Sequence, residues 1–273
     1  MRKINWNLVI GGLLLLLVIG GCLVSFFYLP FPPNVMDNAH AYLRPGIDPS
    51  HLLGTDQYGR DILSRIMVGS RTVLLIAFVS VLGGAVCGSL LGASAAMVKG
   101  LHGAAVMRAM EGLIAFPGTL LALMLVAVVG RGQQGAILAI AIYTIAPFAR
   151  LVYTLILENE SLLAIKAARS FGTGPLRLLS HYYLPELLPR LLTQFSASVG
   201  SAIMTEAALS FLGLGVQPPN ASWGLMLSEA KQFALMQPYL AVAPGVAIFV
   251  AVLGFQLVSD GLNDILIGRR SER

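Results

Sequence analysis

Long runs of apolar residues constrain this chain more than any other feature of its sequence. The chain has 273 residues, of which 56% are hydrophobic and 11% are charged. This composition is too apolar for a globular protein whose surface is covered by polar groups. A helix of about 20 apolar residues crosses a bilayer core of roughly 30 Å. The sequence therefore predicts an all-α, polytopic membrane protein with six transmembrane helices, at about Leu8–Leu29, Val73–Val98, Leu113–Val129, Ala136–Leu157, Leu187–Leu212 and Tyr239–Val258.

The basic residues predict how these spans are oriented. If the amino terminus lies inside, twelve of the 18 Lys and Arg residues fall in cytoplasmic segments and six in external segments. Basic residues accumulate on the cytoplasmic side of membrane proteins, so both termini are expected in the cytoplasm. The net charge of +5 is spread over the membrane loops and forms no single basic stripe. We therefore expect no binding to nucleic acid.

The sequence offers little support for catalysis or for a bound cofactor. Cys22 and Cys87 fall inside predicted spans, and the four histidines lack the spacing of metal ligands. No nucleophile with a nearby base is evident, and no Gly-x-x-x-x-Gly-Lys-Ser/Thr phosphate loop occurs. We expect a protein that is not an enzyme, has no catalytic, cofactor or metal site, and takes any energy from ATP through a partner.

Two parts of the chain differ in character. Residues 1–72 are expected to hold the first transmembrane helix, a proline-rich external connector and, at residues 61–71, an amphipathic helix at the membrane interface. Residues 73–273 are expected to form the core of the transmembrane domain.

Small residues and prolines mark particular positions within the spans. Gly84, Gly88 and Gly92 are spaced four apart, which predicts a helix face that another backbone approaches closely, with a pore-lining role as the alternative. Pro117 and Pro147 are expected to bend the third and fourth spans.

Glu206 is a charged residue inside a predicted span. A charge at the centre of a membrane helix costs roughly 2.5 to 3.5 kcal/mol by insertion scales. Its carboxylate is either a contact in a transport path or gate, or the partner in a hydrogen bond that fixes neighbouring helices.

A polar and basic loop at about residues 158–185 separates the fourth and fifth spans. Its sequence predicts two short helices, Leu162–Arg169 and Pro175–Leu179, on either side of Gly172. Glycine permits a turn that other residues avoid. Short helices lying across the membrane face transmit force as levers, so the loop is expected to contact a soluble partner.

Three segments in order, together with the six-span layout, resemble the permease subunits of ATP-binding cassette (ABC) importers. The resemblance is to the dipeptide, oligopeptide and nickel branch, in its second-permease type. The segments are Leu-Gly-Thr-Asp-Gln-Tyr-Gly-Arg-Asp at 53–61, the loop with Ala167-Ala168, Gly172 and Leu184-Pro185, and Glu-Ala-Ala-Leu-Ser-Phe-Leu-Gly-Leu-Gly at 206–215 followed by Ser222-Trp223-Gly224.

The resemblance implies a fold, a location and a set of partners. The fold is that of a type I ABC importer permease in the bacterial cytoplasmic (inner) membrane. The partners are two cytoplasmic ATPase subunits that hydrolyse ATP, a homologous second permease that completes a heterodimer, an external solute-binding protein and the membrane lipid. The solute would be a dipeptide or oligopeptide, or nickel or its chelate. The implied ATPase-coupling residues are Lys166, Ala167, Ala168, Phe171, Gly172, Leu176, Leu184 and Pro185.

The chain departs from the family pattern at two positions in this loop. Lys166 stands where the family has Glu, and Tyr182, with His181 one step earlier, stands where a His is common. We expect docking to be retained through the turn at Gly172 and through a buried apolar face formed by Ala167, Ala168, Phe171 and Leu176.

Two other functions remain open from the residues alone. One is a secondary transporter or channel driven by an ion gradient, although the inverted repeats typical of that class are not evident. The other is a membrane scaffold that transports nothing.

Overall fold

Helices form nearly all of the regular structure of this protein. The computed structural model describes residues 5–98 and 100–271, and side chains as far as residue 266. A short 3-10 helix, Asn38–His40, and a π-helical turn, Leu179–Tyr183, lie outside the α-helices. The α-helices are α1 Trp6–Ser25, α2 Ile62–Met97, α3 Leu101–Ile114, α4 Gly118–Val129, α5 Gln133–Asn159, α6 Leu163–Ser170, α7 Pro175–Leu178, α8 Leu184–Phe211, α9 Trp223–Ala230 and α10 Tyr239–Ser271.

The all-α polytopic architecture is confirmed, whereas the number of spans stays a prediction. Among the described residues, α1, α2, α5 and α10 are long and apolar enough to cross a membrane. Helix α8 covers the predicted fifth span but is less apolar, because it carries several serine and threonine residues. Two of its polar groups bond to α10, where Ser196 donates to the Phe255 carbonyl (2.7 Å) and the Thr193 carbonyl accepts from Ser259 (3.0 Å).

The predicted third span is not a single helix. Its residues belong to α3 and α4, which are bent by 96° across a break before Gly118. Pro117 occupies the N-cap of α4 and has no N–H to continue the helix, and the residue before a proline avoids the helical conformation. Helix α4 is only about 18 Å long at 1.5 Å per residue, shorter than a bilayer core. If the bent pair counts as one span, the described residues contain up to five that pass by length and apolarity.

The predicted amphipathic helix at residues 61–71 is not a separate interfacial element. Its residues form the first turns of α2, a continuous helix of 36 residues that begins after the N-cap Asp61. The polar side of these turns, including Ser64 and Arg65, is buried inside the protein rather than facing a membrane surface. The division of the chain at residues 72 and 73 stays a prediction, and α2 runs across it.

Helices α2 and α5 lie in close contact along the three spaced glycines. A Cβ atom at Gly88 would overlap the carbonyl oxygen of Ile145, and one at Gly92 would overlap the carbonyl oxygen of Ala149. Gly84 faces the same helix. The absence of side chains on this face of α2 lets the two backbones meet, and both helices contribute to the main apolar core.

Helix α1 packs at the edge of the bundle against α10 and α2. A Cβ at Gly11 would lie 2.8 Å from both the Leu257 Cβ and the Val258 nitrogen of α10, so this contact is also close. Arg71 of α2 bonds to the carbonyl oxygen and hydroxyl of Ser25 at the last turn of α1, and its guanidinium lies 4.1 Å from the ring centre of Phe26. A cation at a helix C-terminus interacts favourably with the helix dipole, so Arg71 fixes this end of α1.

We predict that two adjacent glycines of α2 respond differently to the same substitution. A Cβ at Gly84 would overlap the Thr144 hydroxyl, whereas a Cβ at Gly83 would lie 3.9 Å from the Ala141 Cβ, an ordinary contact. Gly84→Ala should lower the free energy of unfolding by about 1 to 3 kcal/mol, the usual cost of overpacking. Gly83→Ala serves as the matched control and should cause no loss. Thermal unfolding of the detergent-solubilised protein measures both, and equal stability of the two variants would contradict the packing described.

Candidate functional site

The loop between α5 and α8 has the two short helices that the sequence predicts. Helix α6 ends in a Schellman turn at Gly172, whose φ is +72°. The Thr173 N–H donates to the Ala168 carbonyl (3.1 Å), and the Gly172 N–H donates to the Arg169 carbonyl (2.9 Å). These two bonds satisfy carbonyls that the helix end would leave free, and they require a residue in the left-handed region at Gly172. Helix α7 then leads through the π-helical turn into α8.

One side of this loop is anchored in the transmembrane bundle. Ile165, Ala168, Leu178 and Tyr183 are buried in an apolar cluster with residues of α2, α5 and α8. The partners from those helices are Ala93, Ala96, Val152, Leu155, Ile156 and Leu187. The loop is therefore fixed to three helices and can transmit a displacement to them.

The other side of the loop exposes apolar side chains. Of the four residues expected to form a buried face, Ala168 is buried within the chain, whereas Ala167, Phe171 and Leu176 are exposed. Phe171 is 89% exposed and Leu176 is 82% exposed. The helical period explains the difference, because Ala168 follows Ile165 by three residues on the inner face of α6 while Ala167 points away from it. Lys166, Gly172, Leu184 and Pro185 are exposed as well.

The ion pair of this loop involves Arg169 rather than Lys166. Arg169 forms an exposed ion pair with Glu160 (2.6 Å), and this hydrogen bond raises the pKa of the Arg169 guanidinium. Its other terminal nitrogen lies 3.5 Å from the hydroxyl of Tyr183. An exposed pair of this kind contributes little to stability, so the apolar cluster is what holds the loop in place.

We predict that two adjacent alanines of α6 distinguish the anchored side from the exposed side. Ala168→Asp should release the loop, because burying a carboxylate without a partner costs at least about 2 kcal/mol. Ala167→Asp places the same side chain in solvent and is the control. Trypsin digestion of the solubilised protein, followed at Lys166, Arg169 and Arg177, should be much faster for Ala168→Asp than for Ala167→Asp. Similar digestion rates would contradict the anchoring.

A buried charge cluster joins the first sequence motif and the start of α2 to α9 at the opposite end of the bundle. Arg60 donates from Nε to Asp56 Oδ2 (2.6 Å) and from Nη2 to Glu229 Oε2 (2.9 Å). Arg65 donates from Nη2 to the same oxygen of Glu229 (3.0 Å). Asp56 also accepts from the backbone N–H groups of Tyr58 and Arg60, which closes the turn of the first motif. We call Asp56, Arg60, Arg65 and Glu229 the external charge cluster, after the side of the membrane on which the sequence predicts these residues.

Two further hydrogen bonds hold the same segments together. The Trp223 indole N–H donates to the Ile66 carbonyl (3.0 Å), and the Tyr239 hydroxyl donates to the Thr55 carbonyl (3.3 Å). The sequence analysis did not predict the contact between residues 55–66 and residues 223–239 that these bonds make. The signal that could have found it is the opposite charge of Arg60 and Arg65 on one segment and Glu229 on the other.

Glu206 participates in the hydrogen bonds that end α8. Its side chain is fully buried and accepts a bond from the Ser210 hydroxyl (2.6 Å), which in turn accepts from the Val216 N–H (2.9 Å). Gly213, with φ +75°, makes the turn between them. The carboxylate therefore supports the segment that leads to α9, and its role in a gate stays a prediction.

The packed apolar helices, with a helical loop that is anchored on one side and apolar on the other, have the features that the sequence analysis expects of a membrane permease with a soluble partner. The sequence matches the family described as binding-protein-dependent transport system inner membrane component over residues 88–272. The chain belongs to this family, within the ABC importer permeases of the peptide and nickel type. It is thus a multi-pass inner-membrane permease of an ATP-driven importer and a non-catalytic transport component, which implies ATPase and binding-protein partners.

The sequence is similar to individual curated proteins over most of its length. The glutathione transport system permease protein GsiD of Pectobacterium atrosepticum is 40% identical over 260 residues, which cover 94% of this chain and 85% of that protein. The GsiD protein of Escherichia coli O157:H7 is 40% identical over 247 residues, with 89% and 81% covered.

Solved structures support the same fold. Two crystal forms of the MetNI methionine ABC transporter in inward-facing conformations have TM-scores of 0.57 and 0.59 with this chain. They cover 70% and 72% of this chain, and 91% and 93% of the matched chains, at 20% sequence identity. The type I importer permease fold implied by the sequence motifs is confirmed.

Proposed function

We propose that this chain is the second permease subunit of a bacterial importer for short peptides of the glutathione class. The observation that carries the proposal is 40% identity over 94% of the chain to a permease named for glutathione transport. Glutathione is a tripeptide, so this solute also falls within the peptide class that the sequence motifs imply. Nickel or a nickel chelate is the second candidate from those motifs.

The energy for transport comes from two ATPase subunits that dock on the loop at about residues 158–185. The exposed side chains of Phe171 and Leu176 support this assignment, because large apolar groups at full exposure mark protein interaction sites. Lys166 and Ala167 extend the same surface. The buried side of the loop then conveys the movement of the ATPases to α2, α5 and α8.

A homologous second permease completes the pathway, and an external binding protein delivers the solute. In this arrangement the termini and the basic loop lie in the cytoplasm, in line with the excess of Lys and Arg on that side. Binding and hydrolysis of ATP drive alternating access, in which the spans tilt as rigid bodies around the pathway.

Uptake by the reconstituted complex tests the solute and the source of energy. We expect proteoliposomes that contain both permeases, the ATPases and the binding protein to accumulate labelled glutathione when ATP is present on the ATPase side. A dipeptide and Ni²⁺ are measured in parallel to separate the solute classes. Uptake driven by an ion gradient without ATP would instead support a secondary transporter, and accumulation of Ni²⁺ alone would overturn the peptide assignment.

Two glycines of the loop provide a matched test of coupling. An added Cβ would meet no atom within 4 Å at Gly172 or at Gly174, but Gly172 has φ +72° whereas Gly174 has φ −66°. A left-handed conformation costs an L-residue roughly 1 to 2 kcal/mol, and a β-branched residue resists it most.

We therefore expect Gly172→Val to insert normally yet to lose most ATP-driven uptake. Gly174→Val should retain it, because the backbone there already suits valine. Uptake per assembled complex is the measurement, with co-purified ATPase as the check on docking. Equal uptake by both variants would contradict the role of the turn.

A further inference from the structure

The chain contains two groups of helices that are joined at both ends. Helices α2 and α5 form one group through the glycine face. Helices α8, α9 and α10 form the other, because a Cβ at Gly224 of α9 would overlap the Ala207 carbonyl of α8, and because Ser196 of α8 bonds to α10. The anchored loop links the groups at one end. The external charge cluster links α2 and the preceding connector to α9 at the other end.

The contacts between the two groups differ in how they respond to movement. In the apolar part, Phe78 of α2 lies 5.9 Å from Phe195 and 5.8 Å from Phe255, measured between ring centres. Such contacts tolerate small shifts, because dispersion and apolar burial have little directionality. Charged hydrogen bonds in a buried site depend on geometry and are either made or lost.

The external charge cluster is deeply buried for a set of four charged groups. The side chains of Arg65 and Arg60 are 1% and 6% exposed, and that of Glu229 is 19% exposed. Buried ion pairs are poor sources of stability, because removal of charges from water offsets much of their attraction. Their best-attested role is to specify one arrangement over another. A contribution to folding stability therefore does not by itself explain why the two helix groups are connected by buried charges.

The cluster is also incompletely satisfied. The Nη1 atom of Arg65 is buried and has no hydrogen-bond partner among the described residues. Arg65 lines a small cavity together with Asp56, Glu229 and Ala230. A buried charged donor without an acceptor costs free energy, which lowers the energy needed to separate the cluster.

We propose that the external charge cluster is a latch between the two helix groups. Glu229 positions the two arginines of this latch, because its carboxylate accepts hydrogen bonds from both Arg60 and Arg65. The latch holds α9 against the start of α2 while the external end is closed, and it separates when the permease opens outward. This inference rests on the proposed function as an alternating-access importer, and it adds a specific joint that must break in each cycle.

A cysteine beneath the latch reports its opening directly. Ala230 is buried and lines the cavity, so Ala230→Cys in a chain with Cys22→Ala and Cys87→Ala is shielded while the latch is closed. We expect a membrane-impermeant maleimide to label it faster in the complete complex after addition of binding protein and a non-hydrolysable ATP analogue. The same labelling rate in all nucleotide states would overturn the proposal.

Neutralising the latch should mimic this opening. Glu229→Gln keeps the shape of the side chain but removes its charge, and neutral hydrogen bonds are about half as strong as charged ones. We expect labelling on the order of tenfold faster without nucleotide, since a change of this size follows from a modest bias of a two-state equilibrium. Glu229→Asp retains the charge and should restore most of the shielding. Lys231→Gln, two residues away and exposed, is the control and should label like the parent chain.

ATP hydrolysis separates a latch from a purely structural role. With the latch weakened, Glu229→Gln should raise the ATPase activity of the complex without binding protein and reduce the stimulation that binding protein gives. A structural role would lower both activities in proportion to the amount of intact complex, and that result would overturn the proposal. If the complex carries a different solute, the proposed substrate fails, whereas the labelling result still decides the latch.

Discussion

The close approach of α2 and α5 is the contact on which the rest of the structure depends. Lipid tails offer no hydrophobic gain for bringing two apolar helices together, so association relies on packing and on small residues that let backbones meet. Gly84, Gly88 and Gly92 supply that surface on α2. Further along the same helices, Ala93, Ala96, Val152 and Ile156 form the cluster on which the loop at residues 158–185 packs. The same helix pair therefore holds the core together and anchors the loop that we propose as the docking site.

The loop and the external charge cluster differ in what they place in water: the loop exposes apolar groups, whereas the cluster buries charged ones. The loop exposes Phe171 and Leu176 to water, which is unfavourable for the isolated chain and is the basis on which we propose a docking surface there. The cluster instead removes Arg65 and Glu229 from water, where their attraction is geometry dependent. One end of the permease thus presents apolar groups to solvent, whereas charged groups at the other end hold two parts of the same chain together.

The sequence predicted the elements well because apolar length and local turn chemistry are short-range signals. The long apolar windows overlap the main helices, and Gly172 marked the turn that the structure shows with φ +72°. Pro117 indicated a bend but not one of 96°, since the size of a break depends on what packs on either side.

Contacts between distant segments were not available from pattern alone. The sequence pattern placed Arg65 in an amphipathic helix at the membrane interface. In the structure Arg65 is paired with Glu229, which lies 164 residues away in the chain. The side of α6 that packs on the bundle was not predicted either, because Ala167 and Ala168 cannot be distinguished until the helix phase is fixed by Ile165 and Leu178. The contact of α8 with α10 was equally inaccessible, since no local rule identifies the bonds from Ser196 to the Phe255 carbonyl and from Ser259 to the Thr193 carbonyl.

Helix α1 is less buried within the chain than the other long apolar helices. Only 17% of its apolar window is buried, and its contacts run through α10 and the Arg71 bond to Ser25. The family match begins at residue 88, well after this helix. Half of the residues of α1 are exposed on the surface of this chain. An apolar side chain on that surface can be exchanged for another of similar size at little cost to packing within the chain, whereas the positions that touch α10 and Arg71 tolerate fewer changes.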